Sequence, residues 1–316
     1  MPLSDAPLFT DVHPGPTGAS AHWADTSDGK RIRVAHWPAE APKGTVLLFP
    51  GRTEYIEKYG TCAGELAARG LSTLAVDWRG QGLADRLLPD RTVGHVDLFA
   101  DYQKDVAAVL QAARALDLPR PWFLLAHSMG GAIGLRAVME GLPVQAAAFS
   151  APMWGIHIAP HMRLVAGAMT RIMPRIGRGG LMPPGSYAEA YVLAEPFEDN
   201  MLTTDPAMYE MMRDQIRAHP ELSLGGPSFV WLREALAETA DLTRRAAPGL
   251  PCITWLGTNE RIVDKNRIHK RMARWTGGEL RMVEGAEHEV LMEVEALRQP
   301  IFDGIRDLFL GTARKG

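Results

Sequence analysis

Cysteine pairs and metal-ligand patterns are scarce in this sequence. The 316 residues include two cysteines, Cys62 and Cys252, which lie far apart and form no CxxC pair. A chain of this length with two cysteines is not a disulfide scaffold, so we interpret both as buried thiols in a reducing compartment. No spacing typical of a zinc site occurs. We therefore expect a protein that needs neither a metal nor an organic cofactor.

Long apolar runs and a large excess of one charge are also missing. The apolar run Thr45–Phe49 is far shorter than the roughly 20 residues of a membrane span. Residues 1–16 lack the basic and apolar regions of a signal peptide. The net charge of -3 gives no electrostatic reason to expect nucleic acid. We expect a soluble, cytoplasmic protein, and the composition predicts no particular oligomeric state.

The order of apolar segments predicts the fold. Residues 45–150 alternate short apolar strands with helices, which is typical of a mostly parallel sheet covered on both faces. Residues 157–248 are Met-rich and helical in pattern, and strands resume at Cys252. We predict an α/β fold with a mostly parallel central sheet flanked by helices. Its core comprises residues 1–156 and 249–316, with residues 157–248 inserted as a helical cap.

A serine lies at the sharpest predicted turn of the core. Ser128 follows a predicted strand over residues 122–125 and precedes a predicted helix. Small-x-Ser-x-Gly between a strand and a helix is the pattern of a nucleophile elbow, with Ala126 and Gly130 as its small residues. The helix that begins at Met129 points N–H groups and a positive dipole end at this turn. The pattern predicts Ser128 as a nucleophile.

A serine nucleophile needs a base and a carboxylate that orients it. With this type of turn, the acid and then the histidine follow the serine along the chain. His288 follows the predicted strand over residues 280–283, and Glu260 follows the one over residues 252–256. We predict His288 as the base and Glu260 as the acid. Asp264, four residues further on, remains the alternative acid.

Two backbone N–H groups are candidates for an oxyanion hole. Met129 directly follows the nucleophile, and Arg52 lies in the loop after the strand Thr45–Phe49. Their N–H groups would bind the oxygen that becomes negative in the tetrahedral intermediate. For the Arg52 side chain two positions stay open, over the mouth of the site or paired with Glu54.

These motifs resemble those of the bacterial lysophospholipase and monoacylglycerol lipase group of α/β hydrolases, whose relatives include serine aminopeptidases. The resemblance covers roughly residues 30–310. It rests on six segments, at residues 77–82, 94–105, 126–131, 200–205, 224–232 and 288–293. It implies a serine ester hydrolase with a lipid substrate and the lysophospholipase type of cap.

Three positions depart from the pattern of that group. Ala126 stands for the usual Gly, and Glu260 for the usual Asp. Phe49 and Pro50 replace the His that often precedes the oxyanion glycine. A longer carboxylate can still orient His288, whereas the changed loop predicts a different shape around Arg52.

The inserted segment has an apolar helical face whose role the sequence leaves open. That face lies within residues 162–173 and comprises Leu164, Val165, Ala168, Met169, Ile172 and Met173. It is expected either to pack on the core or to form an acyl tunnel or a surface that contacts lipid aggregates. The accompanying arginines are either solvated or bind a phosphate headgroup. They are Arg163, Arg171, Arg175 and Arg178.

The resemblance and the motifs together predict hydrolysis of a carboxylic ester with one acyl chain. The expected substrate is a lysophospholipid or a monoacylglycerol, cleaved through an acyl-enzyme. The alternatives within enzymes are a short- to medium-chain carboxylesterase, a thioesterase or an amidase related to the aminopeptidases. From another class, a non-catalytic ligand-binding relative remains an alternative.

Overall fold

One nine-stranded sheet forms the centre of the molecule in a computed structural model that describes residues 3–313. Residues 1–2 and 314–316, which belong to the predicted core, lie outside the described residues. The strands are β1 (Ser4–Asp5), β2 (Ser20–Asp25), β3 (Arg31–Trp37), β4 (Thr45–Phe49), β5 (Ser72–Asp77), β6 (Trp122–His127), β7 (Ala147–Ser150), β8 (Cys252–Gly257) and β9 (Gly278–Val283).

The strands lie in the order β1-β2-β3-β5-β4-β6-β7-β8-β9. From β5 to β9 all neighbours pair in parallel, whereas β1, β2, β3 and β5 pair antiparallel at one edge. The carboxyl ends of the parallel strands therefore meet at one edge of the sheet, where open α/β sheets bind ligands.

Helices cover both faces of this sheet. They are α1 (Gly60–Ala67), α2 (Tyr102–Ala115), α3 (Ser128–Met139), α4 (Arg163–Arg175), α5 (Tyr191–Ala194), α6 (Pro206–Ala218), α7 (Phe229–Arg244), α8 (Lys265–Met272) and α9 (Glu295–Ala313). Short 3-10 helices lie at residues 56–59, 99–101, 160–162, 220–222 and 290–292.

The alternation of side chains along β4 explains how the two apolar layers form. Leu47 and Phe49 belong to the layer that α2, α3 and α8 cover. Val46 and Leu48 point to the other face and pack in the layer of α1 and α9. Because both faces are buried, the strand is apolar throughout, as parallel strands are. The predicted α/β fold with helices on both faces is confirmed.

Within residues 157–248 of the described chain there are helices α4 to α7 and no strand. Two loops of this segment form hydrogen bonds with the core. Gly94 N–H donates to Gly226 O (2.9 Å), and His288 N–H donates to Met201 O (3.2 Å). The segment therefore lies over the carboxyl ends of the strands.

The apolar face of helix α4 is exposed rather than packed on the core. The exposed fraction is 86% for Leu164 and 51% for both Val165 and Ile172, while Thr170 is buried. The expectation that this face packs on the core was wrong, because α4 lies on the outer side of the segment and packs mainly on α7. Along the described chain, no helix combines the length and the apolar character needed to cross a bilayer.

Candidate active site

The turn between β6 and α3 places Ser128 at the carboxyl edge of the sheet. Ser128 has φ of 49°, in the left-handed region that residues with a side chain rarely adopt. Gly130 explains the need for small residues here, since a Cβ at this position would lie 2.1 Å from Phe49 O. The strained, tightly packed turn holds the Ser128 hydroxyl at the floor of a cavity, with 9% of the residue exposed.

Three predicted side chains meet at this turn. Ser128 Oγ lies 2.9 Å from His288 Nε2, and His288 Nδ1 lies 2.6 Å from Glu260 Oε2. The loops after β8 and β9 deliver Glu260 and His288 to the same edge of the sheet. The other oxygen of Glu260 accepts from the N–H groups of Ile262 (2.5 Å) and Val263 (2.9 Å). The carboxylate is thereby fixed at both oxygens.

The alternative acid lies elsewhere. Asp264 is the N-cap residue of α8, and its carboxylate accepts from Arg267 N–H at 3.3 Å. It makes no hydrogen bond with His288 in the described chain. The structure thus brings Glu260, not Asp264, to the imidazole, and Asp264 begins a helix.

Burial and the Glu260 carboxylate have opposite effects on the pKa of His288. Burial disfavours the charged form of His288, but the Glu260 carboxylate outweighs it, so the pKa of His288 is raised above its ordinary value of 6.5. For Glu260, burial opposes ionisation, yet His288 and the N–H groups of Ile262 and Val263 lower its pKa. The pair therefore favours a charged carboxylate that stabilises an imidazolium.

The loop after β4 is held from three sides. Glu54 accepts a very short hydrogen bond from Gly51 N–H. Gln81 Nε2 donates to Gly51 O (2.7 Å), and Trp78 Nε1 donates to Pro50 O (3.0 Å). Trp78 and Gln81 belong to the 77–82 segment of the resemblance. These contacts fix the course of the backbone that leads into Arg52, in a loop that departs from the family pattern.

Of the two predicted oxyanion donors, Arg52 lines the cavity and Met129 directly follows the cavity residue Ser128. Met129 is the second residue of α3, where backbone N–H groups have no acceptor within the helix. Arg52 lines the same cavity as Ser128. Its side chain does not pair with Glu54. Instead Nη1 donates to Gly225 O (2.8 Å), because Glu54 is already bound to Lys58 and Tyr59.

A buried ion cluster lies beside the imidazole, and the sequence analysis missed it. Lys58 Nζ lies 2.5 Å from Glu54 Oε1 and 2.6 Å from Glu289 Oε2. Burial opposes the charge on Lys58, but the two acids raise its pKa. Burial likewise opposes the charge on Glu54, yet Lys58 and His127 lower its pKa to about 2. One signal was available, since Glu54 and Lys58 are four residues apart.

His127, next to Ser128 in the chain, makes no hydrogen bond with Ser128, His288 or Glu260 in the described chain. Its Nδ1 lies 3.1 Å from Ser150 Oγ, and its ring lies 4.8 Å from the His288 ring. Burial lowers the pKa of His127 to about 3, so the ring is neutral. It therefore packs against His288 as a neutral ring.

The inserted segment holds the histidine loop in place. Asn200 Oδ1 accepts from Leu202 and Thr203 N–H groups, which shapes a turn, and Glu289 N–H donates to Leu202 O (2.8 Å). Glu293, fully buried, accepts from Glu287 N–H (2.8 Å) and from Thr204 N–H (2.9 Å). The 200–205 and 288–293 segments of the resemblance therefore form one structural unit behind His288.

The cavity above Ser128 has a volume of about 350 Å³. Apart from the charged groups near its floor, its walls are mainly apolar. The inserted segment contributes Val192, Met201, Leu202, Met212, Ile216, Trp231 and Leu232, and the core contributes Met153, Ile156, Ile262 and Val263. A site of this size and character suits one slender apolar ligand.

A serine, an imidazole and a carboxylate joined in this order, on a sheet of this order, define the class of the α/β hydrolases. A family model described as serine aminopeptidase, S33, matches residues 40–295. The chain belongs to this family of hydrolases.

Its relatives include lysophospholipase L2 of Escherichia coli, which is 33% identical over 297 residues, covering 88% of this chain and 84% of the relative. A probable lysophospholipase L2 of Haemophilus influenzae is 28% identical, covering 88% of each chain. Among solved structures, a soluble variant of monoglyceride lipase from Saccharomyces cerevisiae, in complex with a substrate analog, matches with a TM-score of 0.72. It is 21% identical and covers 97% of this chain and 98% of its own, so it supports the fold. The predicted resemblance is confirmed.

Proposed function

We propose that this hydrolase cleaves the carboxylic ester of lipids with a single acyl chain, a lysophospholipid or a monoacylglycerol. The observation that carries the proposal is the hydrogen-bonded series Ser128, His288 and Glu260 at the floor of a mainly apolar cavity. The names of the lysophospholipase and monoglyceride lipase relatives support the same substrates. In this proposal residues 157–248 act as the cap and the remaining described residues as the catalytic core.

The reaction proceeds through an acyl-enzyme. Ser128 Oγ attacks the ester carbonyl while its proton passes to His288 Nε2, and Glu260 stabilises the resulting imidazolium. The backbone N–H groups of Arg52 and Met129 bind the oxyanion. His288 then protonates the leaving alcohol. A water molecule, deprotonated by His288, attacks the acyl-enzyme, and the fatty acid leaves with the Ser128 hydroxyl restored.

The size of the cavity favours one acyl chain over two. A volume of about 350 Å³ lies near the lower end of the range for ligand sites. Met201 and Met212 in the wall are flexible side chains that adapt to an acyl chain. Burying each CH₂ contributes about 0.8 kcal/mol, so binding should strengthen with chain length until the cavity is full.

This proposal predicts a rising chain-length profile. For p-nitrophenyl esters from C2 to C16, kcat/KM should increase about two- to fourfold per added CH₂ over the middle of the series. Lysophosphatidylcholine and monoolein should both be hydrolysed. Activity confined to C2–C4 esters would instead indicate a short-chain carboxylesterase. Faster hydrolysis of palmitoyl-CoA than of either lipid would indicate a thioesterase.

Contact with lipid aggregates is also part of this proposal. Leu164, Ile172 and Ile176 are exposed on or just after α4. The exposed arginines of the same segment are Arg163, Arg171, Arg175 and Arg178. An apolar patch with basic neighbours suits an anionic lipid surface. In this proposal the exposed face of α4 contacts that surface.

Replacing two of the exposed apolar residues should weaken this contact. The double variant Leu164→Asp, Ile172→Asp should bind vesicles of phosphatidylglycerol at least about tenfold more weakly in a sedimentation assay, because it adds charge of the wrong sign to the patch. Leu98→Asp is the matched control, since Leu98 is 54% exposed on another element. Equal loss of binding in both variants would contradict the placement of α4.

A cytoplasmic location remains a further proposal. Cys62 and Cys252 are both buried as free thiols. Burial raises the pKa of Cys252 to about 12 and raises that of Cys62 as well. Unreactive thiols without a disulfide support a reducing compartment.

A further inference from the structure

The side chain of Arg52 is a cation without an acidic partner inside the proposed active site. It lines the cavity with Ser128, donates from Nη1 to Gly225 O, and its guanidinium carbon lies 5.5 Å from the centre of the Trp231 ring. Burial lowers the pKa of Arg52 to about 10, so the group remains charged at neutral pH. A partly desolvated charge of this kind is stabilised when an anion binds to it.

Two other arginines of the described chain, the buried Arg33 and the partly buried Arg86, make more hydrogen bonds than Arg52. Arg33 pairs with Glu57 and Asp77. Arg86 has no carboxylate partner, but it donates to four carbonyl oxygens, two of them on the inserted segment. A guanidinium carries five N–H donors, and Arg52 uses Nη1 alone within residues 3–313. Its remaining donors suit a planar array of anionic oxygens.

Lys58, the other cation of the cavity, is not available in the same way. Glu54 and Glu289 lie on either side of its ammonium group and balance its charge. The exposed arginines of α4 do not line the cavity. The free cationic donors of the described cavity wall therefore belong to Arg52.

The Arg52 side chain spans as many bonds as separate the ester and the phosphate of a lysophospholipid. In such a lipid the phosphorus is about six bonds from the ester carbonyl carbon, and in Arg52 the guanidinium carbon is about six bonds from the backbone nitrogen. In the proposed function the backbone N–H of Arg52 binds the oxyanion. The guanidinium can therefore lie beside a phosphate while the N–H binds the oxygen of the reacting ester.

We propose that the guanidinium of Arg52 binds the headgroup phosphate of the substrate, so that the site prefers lysophospholipids to neutral monoacylglycerols. The inference rests on the proposed function and narrows its substrate class. Arg52 then binds one substrate at two points: its backbone N–H binds the oxyanion, and its side chain binds the phosphate. In a monoacylglycerol a neutral hydroxyl takes the place of the phosphate.

The test compares two lipids with the same acyl chain, oleoyl lysophosphatidylcholine and monoolein, in mixed micelles. For Arg52→Gln, the ratio of kcat/KM for lysophospholipid to that for monoolein should fall about 30- to 100-fold, the loss expected for charge-assisted hydrogen bonds. For Arg52→Lys this ratio should fall less, because lysine keeps the positive charge although it lacks the planar guanidinium. If Arg52→Gln fails to fold, Arg52→Lys still provides the measurement.

Arg86→Gln is the matched control. Like Arg52, Arg86 is a partly buried arginine without an acidic partner that binds carbonyl oxygens of the inserted segment, but it does not line the cavity. Burial also lowers the pKa of Arg86 to about 10. Loosening the inserted segment should affect both lipids alike, so this variant should keep the ratio within about threefold.

A second measurement uses soluble probes. Glycerol 3-phosphate should inhibit hydrolysis of p-nitrophenyl butyrate competitively, and this inhibition should weaken at least about tenfold in Arg52→Gln. If inorganic phosphate inhibits equally well while the lipid ratio stays unchanged, the site binds free phosphate and the headgroup proposal is overturned.

The remaining outcomes separate this inference from the proposed function. If the wild type hydrolyses both lipids and Arg52→Gln lowers both rates equally, Arg52 only tethers the inserted segment, and the function stands without the phosphate contact. If the wild type hydrolyses neither lipid but cleaves short esters, the proposed function fails and the inference fails with it.

Discussion

Ser128→Ala should lower kcat/KM for p-nitrophenyl butyrate by at least about 10⁴-fold. The substitution removes the one atom that attacks the ester, and Ser128 Oγ is the atom within 2.9 Å of His288 Nε2. It leaves the proposed oxyanion donors and the cavity in place. Initial rates with the active-site concentration set by a fluorophosphonate probe provide the measurement, and the variant should not be labelled.

The fold of this variant can be checked through the strain at the turn. Ser128 has φ of 49°, which alanine keeps and glycine adopts without cost. Ser128→Gly should therefore be about 1 kcal/mol more stable to unfolding by urea than Ser128→Ala, while equally inactive. Labelling of the wild-type protein at another residue, or residual activity above about 1% in Ser128→Ala, would contradict the assignment of the nucleophile.

Local patterns were sufficient to predict that Ser128, Glu260 and His288 lie together at one edge of the sheet. The elbow at Ser128 depends on neighbours within a few residues, and its steric demand is visible in Gly130. Parallel strands bring their carboxyl ends together, so residues just after β8 and β9 could be expected near one another. Glu260 and His288 follow those strands directly, and this is why they were predictable although 28 residues separate them.

Contacts between distant segments were not predictable. The ammonium of Lys58 lies between Glu54, four residues away, and Glu289, which reaches it only through the folded sheet. The exposure of Leu164 was missed for a related reason. Periodicity shows that a helix has an apolar face, but not whether any part of the protein covers it.

The inserted segment and the core depend on each other for the geometry of the base. Glu293 accepts one hydrogen bond from Glu287 N–H in the histidine loop and another from Thr204 N–H in the inserted segment. Movement of the segment away from the cavity would strain these bonds and shift His288.

Glu260→Gln should lower kcat about 10³- to 10⁴-fold with little change in KM. The amide keeps the size of the side chain but loses the charge that stabilises the His288 imidazolium, and it can present an N–H where Nδ1–H needs an acceptor. Asp264→Asn is the matched control, since Asp264 caps α8 and does not contact His288. It should lower kcat less than about tenfold, through the weakened cap.

The pH dependence gives this prediction an independent readout. His288 accepts a proton only when neutral, and Glu260 raises its pKa above 6.5, so kcat/KM of the wild type should fall with decreasing pH around a midpoint above 6.5. In Glu260→Gln the carboxylate is gone while burial still disfavours the charged ring, so this midpoint should move to lower pH. An unmoved midpoint, or a larger loss of kcat in Asp264→Asn than in Glu260→Gln, would show that Glu260 is not the acid. A shift confined to Glu260→Gln requires the charge of that carboxylate at His288, because no purely structural role of Glu260 would lower the pKa of the imidazole and leave KM in place.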